Sequence, residues 1–166
     1  MPTVTTNALG LTPRDAAIDA LHRLVAGLDV PSEELLLSSL TPDAMMELIG
    51  FAAAGIPPDR TVGPSAEEVT NLLLTAVGHR LDTTHSATNV RCFIKEESEG
   101  VQIAKLTATI LAQHFRKGEG PRTEYQSSWM NGNVYECEAI EVGDEWKMRK
   151  VVIKPMWSLG DADVMK

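Results

Sequence analysis

Cysteines, aromatics and positive charge are all in short supply in this sequence, and it has no long apolar run; each shortage removes a class of protein. Only two cysteines, Cys92 and Cys137, occur in 166 residues. Both fall within strand-like sequence, with neither metal-ligand nor redox spacing, so they read as reduced core thiols of a cytosolic protein. The formal charge of -8 argues against a nucleic-acid partner, because phosphate binding needs a concentrated basic surface. Lys147, Arg149, Lys150 and Lys154 form the one basic cluster, within a single strand-like segment. No run approaches the ~18 to 20 apolar residues of a membrane span, and Met1 to Thr12 lack the basic start and apolar block of a secretory signal. Glycine-rich phosphate loops, serine elbows and zinc spacings are also missing, so no cofactor and no metal are indicated. His22, His79, His85 and His114 are widely scattered. Acid–base catalysis, nucleophilic catalysis or plain binding remain.

What is present is a helical first half and a strand-rich second half. The length suits one domain, read as a flexible arm over 1–12 and a domain over 13–166. Thr12-Pro13-Arg14-Asp15 opens a helix: Thr12 can cap it, Pro13 suits its first turn and Asp15 complements the exposed amides. Ile18, Leu21, Leu24, Val25 and Leu28 recur at helical steps, and this helix ends near Gly27 to Asp29. A short helix capped by Ser32 follows. Ala44 to Phe51 is ambiguous between helix and strand, and Ala52 to Gly63, rich in Gly and Pro, reads as loop. Ser65-Ala66-Glu67-Glu68 has the form of a capping box before the stripe Val69, Leu72, Leu73, Ala76 and Val77.

Four strand segments then follow at Asn89–Glu97, Val101–Lys117, Thr123–Val142 and Glu145–Ser158. Their turns give an antiparallel meander, and their length predicts bulges and sharp bends. Helices on one side of a bent sheet make an α+β fold that encloses a pocket. The stretch Thr83 to Val90 sets His85 at the expected helix-to-strand junction, where an imidazole can pass a proton near neutral pH. On the second long strand Leu106, Ala108, Ile110, Ala112 and His114 share one parity, and the small residues leave room beside His114. Trp129, Asn131, Asn133, Tyr135 and Cys137 share a parity on the third. Trp146, Met148 and Val152 share one on the fourth, and a two-residue turn at Gly143-Asp144 would set Ala139 opposite Met148. Aromatics with a few amides suit a flat, oxygenated ligand.

Leu28-Asp29, Thr83-Thr84-His85 with Asn89, Ala112-Gln113-His114-Phe115-Arg116, Glu145-Trp146-Lys147-Met148 and Trp157-Ser158-Leu159-Gly160-Asp161 appear in an order that resembles the SnoaL-like group. That group lies within the nuclear-transport-factor-2-like superfamily, beside scytalone dehydratase-like and bile-acid dehydratase-like enzymes. The resemblance implies a cone-shaped α+β barrel of strongly bent mixed or antiparallel sheet, with N-terminal helices enclosing one pocket. It makes Ala44 to Phe51 a strand. It implies His85 as general acid–base group, Asp29 as its carboxylate partner and His114 as an assisting histidine. Asn131, Tyr135, Tyr125, Trp129, Asn89 and Trp157 are the expected substrate contacts. Dehydratases of the group commonly carry a tyrosine on the first helix to hold a substrate carbonyl. Here Leu24, Val25 and Leu28 stand there, so the donor is absent or supplied elsewhere, by Tyr125, Tyr135, Asn131 or a water.

The function expected is a cofactor-independent dehydratase or isomerase acting on a polycyclic oxygenated natural-product intermediate. The expected protein is a cytoplasmic homodimer or homotrimer with a small-molecule substrate. The opposing expectation is a non-catalytic binding or partner domain of the same fold, its cone filled by side chains.

Overall fold

The computed structural model describes residues 10–56, 59–96, 100–124 and 127–166. The arm over 1–12 therefore lies almost wholly outside the described residues. Helix α1 (Pro13–Asp29) starts as its sequence dictates, with the Thr12 hydroxyl accepting the Asp15 N–H, and buries Leu21, Leu24, Val25 and Leu28. Ala16, Ala17 and Ala20 on the same face are also buried, and such short side chains let a helix approach a sheet closely. Helix α2 (Glu33–Ser39) is capped by Ser32. It runs directly into β1 (Leu40–Leu48), so a strand covers most of the ambiguous stretch. Tertiary pairing there outweighs a helix propensity of a few tenths of a kcal/mol per residue.

A short strand, β2 (Arg60–Val62), pairs antiparallel with β1. Sequence reading expected only loop here, because three residues are too few to show a period. Helix α3 (Ala66–Leu73) continues through a π turn over Leu74–Gly78. The Ser65 hydroxyl accepts the Glu68 N–H at 3.3 Å, but the Ser65 N–H donates to the Ala44 carbonyl. Half the capping box is thus replaced by a tie between α3 and β1.

The remaining strands are β3 (Leu81–Glu96), β4 (Gln102–Arg116), β5 (Ser128–Val142) and β6 (Glu145–Gly160). They form the expected meander, and β1 joins it parallel to β6. The sheet order β2-β1-β6-β5-β4-β3 leaves β2 and β3 as edges, so the cone is open rather than a closed barrel. Bulges interrupt the pairing between Thr88 and Arg91, Gly132 and Asn133, and Glu138 and Ala139. Each adds a residue to one strand and bends it. The bent sheet wraps α1, which packs on β3 and β6.

The inner face follows the expected parity on β4 and β5. Leu106, Ala108, Ile110, Ala112 and His114 are buried, as are Trp129, Asn131, Asn133, Tyr135 and Cys137. Ala139 does pair with Met148. The parity on β6 holds only to Met148, because the bulge at Arg149 resets it. Val151 and Ile153 then pair with the inward Cys137 and Tyr135, and Val152 pairs with Glu136 on the outer face. Cys92 and Cys137 are buried free thiols, as expected. No helix among the described residues is long and apolar enough to cross a membrane.

Candidate active site

Two elements far apart in sequence create the centre of the site. The strand β3 begins at Leu81, not at Asn89 as the sequence suggested, so His85 sits inside a strand rather than at its junction with a helix. Asp29 is the last residue of α1. One carboxylate oxygen accepts the His85 backbone N–H at 2.8 Å, and the other lies 2.6 Å from the His85 Nδ1. The expected contact is therefore made, and it is double: the backbone grip fixes where the ring starts, and the ring contact fixes its plane. The His85 side chain is only 5% exposed. Because a carboxylate can only accept here, the proton of the neutral ring resides on Nδ1 and Nε2 is left bare.

His114 is buried on β4, its ring centroid 5.5 Å from that of His85 in an edge-to-face arrangement. Trp129 stacks against it with ring centroids 5.4 Å apart. The Thr83 hydroxyl donates to the Gln113 carbonyl at 3.0 Å and lies 2.8 Å from the His114 Nδ1. With its one hydrogen given to the carbonyl, the hydroxyl accepts from Nδ1–H, which leaves Nε2 of His114 bare as well. Burial first, and the neighbouring His85 second, push the His114 pKa down to about 3, so this ring is neutral at ordinary pH.

Asn131 donates through Nδ2 to Asn133 Oδ1 at 2.9 Å, while its own Oδ1 is buried and has no partner. A buried acceptor left unmade costs about 1–3 kcal/mol, and a ligand hydroxyl would supply the missing donor. Tyr135 is buried on the same face. Burial, then the Cys137 thiol and the Asp29 carboxylate, hold its phenol protonated, as a donor must be.

These residues line one cavity of about 200 Å³, which His85, His114, Trp129, Asn131, Asn133 and Tyr135 all reach. Leu28, Met46, Leu72 and Ile153 add apolar wall. Sequence reading missed Phe51, Ile56, Arg60, Arg80 and Met165, which line it too. Their segments carry no periodicity, and only the fold brings them together. No group of acids, histidines or cysteines able to hold a metal occurs among the described residues.

Two expected contacts are misplaced. Asn89 lies in the β3 bulge with φ of 51° and is exposed, away from the cavity. Trp157 pairs with Gly132, which pairs with the outward Leu111. Its indole covers Gly132 so closely that a Cβ there would lie 2.5 Å from it. At 43% exposed, Trp157 therefore belongs to the outer face. Tyr125 lies outside the described residues. His22, on the outer side of α1, is exposed.

Residues 10–152 match the model of the SnoaL-like domain. The chain belongs to the SnoaL-like family. The SnoaL-like chain is 33% identical over 155 residues to terrestric acid biosynthesis cluster protein E of Penicillium crustosum, a match covering 91% of this chain and 88% of that one. Among solved structures, Kfla4162 of Kribbella flavida superposes with a TM-score of 0.71 at 19% identity, covering 92% of this chain and 95% of that one. The hexachlorocyclohexane dehydrochlorinase LinA-type3 of Novosphingobium barchaimii superposes with a TM-score of 0.66 at 23% identity, covering 89% and 90%. At such identities the two structures speak for the shared fold alone.

Proposed function

We propose that this SnoaL-like protein is a cofactor-independent lyase or isomerase of secondary metabolism that acts by general acid–base catalysis. The observation that carries the reading is the His85 ring held through Nδ1 by Asp29 at 2.6 Å, on the wall of an open cavity. The Nε2 of His85 takes a proton from a carbon beside a carbonyl. Asp29 stabilises the imidazolium that forms, and the Tyr135 phenol donates to the enolate oxygen in place of the absent first-helix tyrosine. In a dehydration the enolate electrons re-form the carbonyl and make a C=C bond as the β-hydroxyl leaves. The imidazolium proton goes to that oxygen, so water departs and the base is restored. In an isomerisation the imidazolium, its proton exchanged with solvent, protonates a different carbon. A positioned base supplies ~10²–10⁴ in rate, and a donor to developing oxyanion charge ~10²–10³ more.

His114, held neutral, is a second acceptor rather than the group that cycles charge. Asn131 Oδ1 takes a substrate hydroxyl, and Trp129 offers a flat apolar edge. A cavity of about 200 Å³ exceeds the ~150 Å³ apolar cavity that admits a single benzene. It suits a one- or two-ring body better than the larger polycycle expected from sequence. The name of the Penicillium relative, which places that protein in a biosynthesis cluster, supports a secondary-metabolite substrate. The name of the dehydrochlorinase supports elimination as the reaction type. A filled cone would have favoured the non-catalytic alternative, whereas this cone is open to His85.

Incubation in D₂O with the intermediates made by neighbouring biosynthetic enzymes, followed by mass measurement, tests the reading. Loss of one water means dehydration, and gain of deuterium without that loss means isomerisation. If no intermediate changes mass, exchanges deuterium or changes retention, the catalytic reading fails.

A further inference from the structure

Among the described residues, the Lys, Arg, Asp and Glu side chains that line the cavity are two cations, Arg60 and Arg80, in a chain whose net charge is -8. Among the described residues no carboxylate lines it; Asp29, behind His85, has both oxygens engaged by that residue. Arg60 opens the edge strand β2 opposite Leu48, and Arg80 stands just before β3. The cations thus come from two different walls, and both are exposed, at the rim rather than in the depth. Arg80 donates through Nη2 to the Lys166 carbonyl oxygen, which holds the segment carrying Met165 against the cavity. Arg60 makes no side-chain hydrogen bond and no ion pair among the described residues. Its neighbour Asp59 accepts the Gly50 N–H at 2.7 Å.

An unpaired guanidinium is simplest to keep on a surface that is polar all round. Here it shares a cavity with Phe51, Ile56, Leu48 and Ile153, an apolar chamber whose depth holds the neutral histidine and the amides. A molecule that fills this chamber has an apolar or aromatic body, a hydroxyl toward Asn131 and its outermost group at the arginines. Guanidinium forks match carboxylate geometry with paired hydrogen bonds. The negative charge of the chain as a whole would repel an anion, and two rim cations reverse that locally.

We infer that the substrate is a small organic acid, whose carboxylate is held at the cavity mouth by Arg60, with Arg80 beside it, while its ring body reaches His85. The inference rests on the cavity being the substrate pocket. It adds a charge requirement that the acid–base chemistry does not itself impose. Anchoring one end at the rim also fixes depth, so the arginines choose which carbon stands before the Nε2 of His85.

Naphthalene-2-carboxylate and naphthalene-2-carboxamide differ in charge but hardly in size, and titration calorimetry at pH 7.5 and low salt compares them directly. The carboxylate should bind about five-fold more tightly or better, from the upper range of an exposed ion pair, and added salt should shrink that gap. Arg60→Gln should lower carboxylate affinity about five-fold and leave the carboxamide unchanged, while Arg60→Lys keeps most of the preference. Arg91→Gln, which removes a cation stacked on Phe93 outside the cavity, should alter neither. Equal binding of the two probes to the native protein overturns the anion inference and leaves the pocket reading standing. So does a preference that survives Arg60→Gln. Binding of neither probe overturns both together.

Discussion

Mild acid should destabilise this protein through His114 before its carboxylates begin to titrate. The side chain is 4% exposed, and its pKa falls from 6.5 to about 3, through burial first and the proximity of His85 second. The unfolded chain therefore takes up a proton that the folded chain refuses. The stability this neutral ring provides is fully present above ~6.5 and is lost as pH falls below it, at ~1.4 kcal/mol per unit until the folded pKa is reached. Between pH 6.5 and 5 the loss amounts to about 2 kcal/mol, a large part of an ordinary domain's margin of about 5–15 kcal/mol. Carboxylates titrate near pH ~4, so this window isolates the histidine contribution. Urea unfolding at pH 7.5, 6.5, 5.5 and 5.0 measures it in the native protein and in His114→Gln, where the slope from this residue should vanish. NMR of the imidazole nitrogens gives an independent reading. A titration midpoint for His114 above about 5.5, or an unchanged slope in the variant, would refute the argument that burial holds the ring neutral.

Other expectations follow from particular contacts. His85→Gln should lower kcat by ~10² or more while leaving ligand affinity and melting temperature nearly unchanged. Retention of over about a tenth of the activity would reduce His85 to a structural residue. Gly160 has φ of 97°, and a Cβ there would lie 2.1 Å from the Ser128 carbonyl oxygen. Gly160→Ala should therefore cost about 2 kcal/mol or more, seen as a lower melting temperature; an unchanged melt would show that the β6 end relaxes freely. Burial first, then Glu136, push the Cys137 thiol up to about 12, so thiol reagents at pH 8 should modify it only at the rate of unfolding. Rapid modification in the native state would mean that the inner face opens to solvent.

Much of the site was legible in the sequence because its logic is local. Thr12 and Ser65 announce helix starts through hydroxyls that accept backbone N–H groups a few residues on. The alternation from Leu106 to His114 announces which side of β4 faces inward, since pleating alone puts every second side chain on one face. The pairing of Asp29 with His85 needed the family resemblance as well, because 56 residues separate them. Only the tertiary structure decided the rest. The bulge at Arg149 moved Val152 to the outer face, and the pairing of Leu111, Gly132 and Trp157 sent that indole outward. A bulge is one residue of slippage, invisible in composition yet enough to invert every later side chain. The cationic rim was equally hidden: Arg60 and Arg80 occupy an edge strand and a turn, where nothing periodic marks a side chain as facing a cavity. What sequence determines here is which faces are apolar and which residues can carry a proton. Which of them meet is set by strand register and sheet curvature, which depend on contacts along the whole chain.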